Sequence, residues 1–216
     1  MIGNKVRAII EMETKRVASN NLFFRKAFEG TLSRKHLTAY LYNLEFLFKQ
    51  TTVNLTYASN CANERGLFDV AIFMDQKKRE EEGHDQWARN DLQHSDLKTD
   101  ETHYRLKPSL SRIFEFVKEL ITEDPRLFLS YMCFVEYFTV LVAPSFLDNL
   151  ENKCGISRAA MTSITNHEEL DKDHALEDFN VINNFCNDRI IEKRFFEALT
   201  ESIKLVDSFL SECAVA

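Results

Sequence analysis

From Leu129 to Ala143 the chain reads LSYMCFVEYFTVLVA, a run in which Glu136 is the only acid or base of ordinary strength. In a helix, the neighbours on its face are Leu129, Met132, Cys133, Thr139, Val140 and Ala143, so burying that face buries the carboxylate. An ionised carboxylate buried without a partner costs several kcal/mol, so it must be neutralised, paired with Lys or Arg, or bound to a metal. No cation lies within the run. Any fold for this chain must therefore either neutralise Glu136 or bring a partner to it.

A second constraint comes from residues 167 to 174, HEELDKDH. His167, Asp171 and His174 recur at spacings of four and three, which puts them on one face of a helix. Ile164 precedes them on that face and Asp178, Ile182 and Phe185 follow, whereas Glu168, Lys172, Asp173 and Glu177 point the other way. A polar trio on an otherwise apolar stripe faces inward; the plainer alternative is a solvated face that happens to hold two histidines. Imidazole nitrogen and carboxylate oxygen together suit iron, manganese or zinc. Three ligands from one helix cannot enclose a metal pair, so further Glu and His are required elsewhere.

Residues 80 to 85, EEEGHD, supply them. Glu81 and His84 form Glu-x-x-His, the pair that di-iron carboxylate bundles present from inward-facing helices. Alone, such a pair in a charged run more often marks a solvated face. Gly83, costly inside a helix by roughly 1 kcal/mol, suggests close packing at that point. With Glu136 the set becomes Glu81, His84, Glu136, His167, Asp171 and His174, drawn from three helices. Hard oxygen and nitrogen donors without thiolate favour Fe(II) or Mn over structural zinc. Six ligands shared by two metals leave positions open for dioxygen and substrate, so oxidative chemistry is expected. Asp85 and Asp178 are candidates for orienting a ligating imidazole. Trp87 is assigned to the core, and His36, His94 and His103 receive no role.

Turn-formers are scarce, with 5 Gly and 3 Pro, and 18 Phe are available for a core. Long helices with short connections follow. The pattern predicts helices near residues 4–17, continued by a short second piece over 20–27, then 33–63 with Ser33 as N-cap, 67–92, and 113–121 after Pro108. A further helix runs from about 126 until Pro144 kinks or ends it, and two more cover about 157–184 and 190–210. That makes about seven helices in one all-α domain over residues 1–216. The net charge of -7 offers no support for nucleic acid as a partner. Five scattered Cys without CxxC argue against a disulfide framework and for a reduced, cytoplasmic setting. The N-terminus lacks the apolar core of a signal peptide, and no stretch approaching a membrane span is free of charge, so no membrane partner is expected.

In this order and spacing, the six residues resemble the ligand set of the haem-oxygenase-like diiron oxidase and oxygenase superfamily. Its members place Glu and His on one core helix, a lone Glu on another, and His-x3-Asp-x2-His on a third. EEEGHDQWARNDL also resembles sequences of iron-containing redox enzymes, and FFRKAFEGTLSRKHLTAYL is similar to the family's first two core helices, so the likeness covers most of the chain. The resemblance implies a seven-helix bundle binding two Fe ions and activating dioxygen against a small carboxylate- or amine-bearing metabolite, derived from an amino acid or fatty acid, in specialised-metabolite biosynthesis. Glu136 is expected as a bridging or shared carboxylate and a peroxo-diferric species as intermediate.

Relatives include a fatty-acid decarboxylase, amino-acid-cleaving and N-oxygenating enzymes, a nitrile-forming enzyme, and chlamydial proteins that make p-aminobenzoate from their own Tyr. Phe23 and Phe24 occupy the region of that Tyr here, which departs from the last activity. Haem oxygenase and thiaminase-like relatives share the architecture without the six ligands. The substrate pocket is expected between the metal face and the helix near 33–63, with Tyr40, Glu45 and Lys49 in its lining. Lys49 would attract a carboxylate there, although a solvated lysine is the plainer alternative. An external electron donor and a homodimer are compatible partners. The rival readings are a metal-free thiaminase-like hydrolase and a non-catalytic metal- or partner-binding helical protein.

Overall fold

The computed structural model describes residues 1–98 and 104–215; His103 lies outside them. The described residues form helices and no strands. Seven α-helices of fourteen residues or more are joined by two short ones: α1 (Ile2–Asn20), α2 (Leu22–Phe28), α3 (Arg34–Glu64), α4 (Phe68–Glu81), α5 (His84–Asp91), α6 (Pro108–Glu123), α7 (Leu129–Asn149), α8 (Thr162–Phe185) and α9 (Arg189–Cys213). Local chemistry sets several of these ends. Pro108 occupies the first turn of α6, where its missing N–H is not needed. The Asp188 carboxylate accepts from the Ile190 N–H at the start of α9. Ser33 caps α3 as expected, and His36 returns the contact, its Nδ1 accepting from the Ser33 N–H at 3.0 Å.

The long α3 packs along α4 and α5, α6 lies along α9, and α7 lies along α8 while also touching α1, α2 and α9. A helix apolar on all sides must be surrounded, and α7 is. Its buried residues run from Leu129 to Leu147 and include Glu136. By length and composition the stretch Pro125–Cys154 would suffice to cross a membrane, but most of it is buried inside the bundle. Next to α7, Phe23 and Phe24 of α2 pack on Phe146, and Phe24 also meets Phe138.

Three boundaries differ from the sequence expectation. The helix expected over 67–92 is broken: Glu82 is extended and Gly83 has φ +91°, so α4 stops at Glu81 and α5 starts at His84. Gly83 is therefore present for its backbone and not for close packing, since a Cβ there would meet nothing within 4 Å. Pro144 does not end α7, which continues to Asn149. Val142, Ala143, Phe146 and Leu147 are buried on both sides of it, and that packing offsets the cost of about 3 kcal/mol that the lost backbone hydrogen bond and the ring clash of an interior proline bring together. Finally, α8 starts at Thr162, after a short 3-10 turn at Arg158–Ala160.

Candidate metal centre

All six predicted donors come together between α4, α5, α7 and α8. Glu81, His84, Glu136, His167 and Asp171 are buried, and His174 is nearly so. Single donor atoms of Glu81, His84 and His167 lie within 4.8 Å of one another, and so do those of Glu81, Glu136 and His174. Glu81, rather than Glu136, is thus common to both clusters. Asp171 joins through its Oδ1, 3.6 Å from His174 Nδ1.

The break at Gly83 does not separate the two candidate ligands that flank it: His84 Nδ1 donates to Glu81 Oε2 at 3.1 Å. His167 Nδ1 donates to the Ser163 carbonyl at 2.6 Å, which fixes the tautomer and leaves Nε2 free to ligate. Both rings are braced. Phe48 stacks on His167 at 4.7 Å and Trp87 on His84 at 4.1 Å, so Trp87, expected only as core, packs directly on a candidate ligand.

The sequence pattern did not single out Lys77 or Asp91. Lys77, one turn before Glu81, has no exposed side-chain surface, and its Nζ lies 3.6 Å from Glu136 Oε2 and from Asp178 Oδ1. Glu177 and Glu80 stand slightly farther away, at 3.7 and 3.8 Å. Lys77 is therefore the cation demanded by Glu136. It reads as a solvated residue because it sits in the charged run KKREEE. Asp91, at the end of α5, accepts hydrogen bonds at 2.5–2.9 Å from the backbone N–H and the hydroxyl of both Thr162 and Ser163. It caps α8 and thereby docks α5 against the helix carrying three of the candidate ligands. Of the two candidate orienting acids, Asp178 is fully buried against Lys77, whereas Asp85 faces Arg89 at 3.6 Å.

The electrostatics are those of an acid-rich enclosure. Burial, then the neighbouring Asp178, pushes the Glu136 carboxyl well above its ordinary range, with Lys77 opposing. Burial likewise raises Asp171 and Asp178. Burial would also raise Glu81, but the hydrogen bond from His84 and the nearby His84, His167 and His174 rings together outweigh it and hold this carboxyl low. The neighbouring Asp171 carboxylate, 3.6 Å from Nδ1, raises His174 against the effect of burial. Glu136 Oε2, Asp171 Oδ1, His174 Nδ1 and both Asp178 oxygens are buried without a hydrogen-bond partner. Orphaned buried donors of this type fit divalent metal ions, which would supply the missing bonds.

A cavity of about 130 Å³ opens from this cluster. Glu81, Glu136, His167 and Asp171 form its polar part, while Phe23, Phe24, Phe138, Phe146 and Phe209 contribute to an apolar remainder. No Lys or Arg lines it among the described residues. Tyr40 does line it, and so does Tyr131, whose buried hydroxyl has no hydrogen-bond partner. Glu45 and Lys49 lie outside the lining: Lys49 Nζ donates to Glu45 Oε1 at 2.5 Å, and Arg89 reaches the same oxygen at 2.8 Å.

No family description and no curated protein matches the chain. Solved structures do. A domain of unknown function with a haem-oxygenase-like fold from Shewanella denitrificans OS217 superposes with a TM-score of 0.84 at 15% identity, over 97% of this chain and 90% of that one. A TenA homologue from Pseudomonas syringae pv. tomato DC3000 gives 0.78 at 15% identity, over 99% and 92%. A CADD-like protein of unknown function from Nostoc punctiforme PCC 73102 gives 0.71 at 12% identity, over 98% and 97%. With the helical bundle described above, these likenesses show that the chain has the haem-oxygenase-like fold.

Proposed function

We propose that this protein is a non-haem diiron oxidase or oxygenase that uses dioxygen on a small molecule with an apolar body and a carboxylate or amine end. One observation carries the reading: six donors of metal-ligand type, several orphaned in the absence of an ion, converge at the polar part of an apolar cavity. Glu81, His84 and His167 would hold one ion, and Glu81, Glu136 and His174 the other, with Asp171 adjacent. Bound iron supplies redox chemistry and dioxygen activation.

The chain's own residues do the remaining work. Ser163 and Glu81 orient the His167 and His84 imidazoles through Nδ1, and Phe48 and Trp87 restrict the two rings. The phenylalanine-lined part of the cavity excludes water and receives an apolar body, leaving the polar end of a substrate beside Glu136 and Asp171. A metal-free hydrolase on this fold is disfavoured by the lining, which offers no Cys or Ser as nucleophile among the described residues.

Anaerobic loading with Fe(II), followed by iron analysis, tests the reading. Two Fe(II) per chain, lost on His167→Ala, and dioxygen consumption that requires the loaded protein are expected. Wild-type protein that takes up no Fe(II) would overturn it.

A further inference from the structure

Lys77 is not used by any step above, yet it is the most deeply buried cation near the site. Its side chain has no exposed surface, its Nζ makes no hydrogen bond, and the Phe73 ring lies 5.7 Å away. Two buried acids face it, Glu136 and Asp178; Glu177 faces it from the rim, and Glu80 through a buried Oε2 that also lies 3.5 Å from His174 Nε2. Of the two donor clusters, only the one with Glu136 and His174 includes an acid that Lys77 contacts. Resting on the metal centre proposed above, we propose that the Lys77 ammonium holds the place of the second metal ion. The first ion enters at Glu81, His84 and His167; the second binds only when the ammonium leaves Glu136.

The surroundings provide for that exchange. A divalent ion at Glu136 would repel an ammonium held 3.6 Å from the same carboxylate. The flexible four-carbon stem can carry the ammonium outward to Glu177, which already lies 3.7 Å from Nζ and is partly exposed. In the metal-free protein the same ammonium compensates Glu136 and Asp178, so one side chain keeps the empty site folded and weakens its second occupancy.

Mn(II) binding, followed by calorimetry and electron paramagnetic resonance, tests this without turnover. Wild-type protein should bind the first equivalent as an isolated ion and the second at least tenfold more weakly, with an exchange-coupled signal appearing only then. Lys77→Met should tighten the second step at least tenfold. Because that variant leaves Asp178 buried without a cation, the same comparison is made between Asp178→Asn and the double variant Lys77→Met/Asp178→Asn, with folding verified by circular dichroism. Tightening in either folded pair supports the role of Lys77. An unchanged or weakened second step in the folded variants overturns it while leaving the metal centre intact. Wild-type protein that binds no Mn(II) and no Fe(II) removes both.

Discussion

Four hydrogen bonds converge on Asp91, two from backbone N–H groups and two from hydroxyls, all at the first residues of α8. One of those residues, Ser163, also accepts the His167 Nδ1 proton. Replacing Asp91 with Ala removes the cap and misplaces that carbonyl. A loss of about 1–2 kcal/mol in urea unfolding is expected, together with a metal affinity weaker by roughly 10- to 100-fold. Gly83 gives a second test at this scale. At φ +91° an Ala is strained although nothing crowds its Cβ, so Gly83→Ala should cost about 1–2 kcal/mol. Gly83→Asn should cost less, because Asn tolerates the left-handed region, and denaturant titration of the two variants would show the difference. Glu136 was readable because it stands alone in an apolar run, His167, Asp171 and His174 because they share one helix face with apolar residues, and Glu81 and His84 because that trio called for a second Glu and His pair. Lys77 and Asp91 were not: a lysine among charged neighbours looks solvated, and a cap reaching 71 residues along the chain leaves no local pattern.

Helix types and most helix starts followed from periodicity and caps, while the interruption of α4 and α5 did not, because Glu-x-x-His reads alike on a helix and across a turn. The passage of α7 through Pro144 was equally hidden, being decided by packing partners on α1, α2, α8 and α9. The joint between α6 and α7 shows how one acid fixes an element. Asp124 accepts from the Arg126 N–H at 2.9 Å and from its guanidinium at 2.7 Å. Burial raises the Asp124 carboxyl, but the Arg126 hydrogen bonds outweigh it and hold it below the usual range. A carboxyl with a depressed folded pKa stabilises the protein at pH values above the unfolded pKa, about 3.9, and loses that contribution as pH falls through the folded value. Asp124→Asn should therefore cost roughly 1.5–3 kcal/mol at pH 7. The gap to wild type should close below about pH 4, as read from urea unfolding across that range.

For the molecule as a whole, four buried carboxylates (Glu81, Glu136, Asp171 and Asp178) are gathered inside the bundle, and one buried ammonium, Lys77, contacts two of them, Glu136 and Asp178. Such an enclosure strains the metal-free state, and ions that bind only the folded chain stabilise it by mass action. At a free Mn(II) or Fe(II) concentration of ~100 times Kd the gain is about 2.7 kcal/mol, which for a chain of this size raises Tm by roughly 5–10 °C. Thermal melts with metal and with chelator should show that interval, and His167→Ala should narrow it. The seam at Gly83 has one more consequence, a kinetic one. Asp91 locks α5 to α8, so His84, His167, Asp171 and His174 form one mechanical unit, while Glu81 and Glu136 belong to α4 and α7. An ion held across that seam would escape when the two units part, so its residence time would be set by breathing of the bundle and not by exchange of any single ligand.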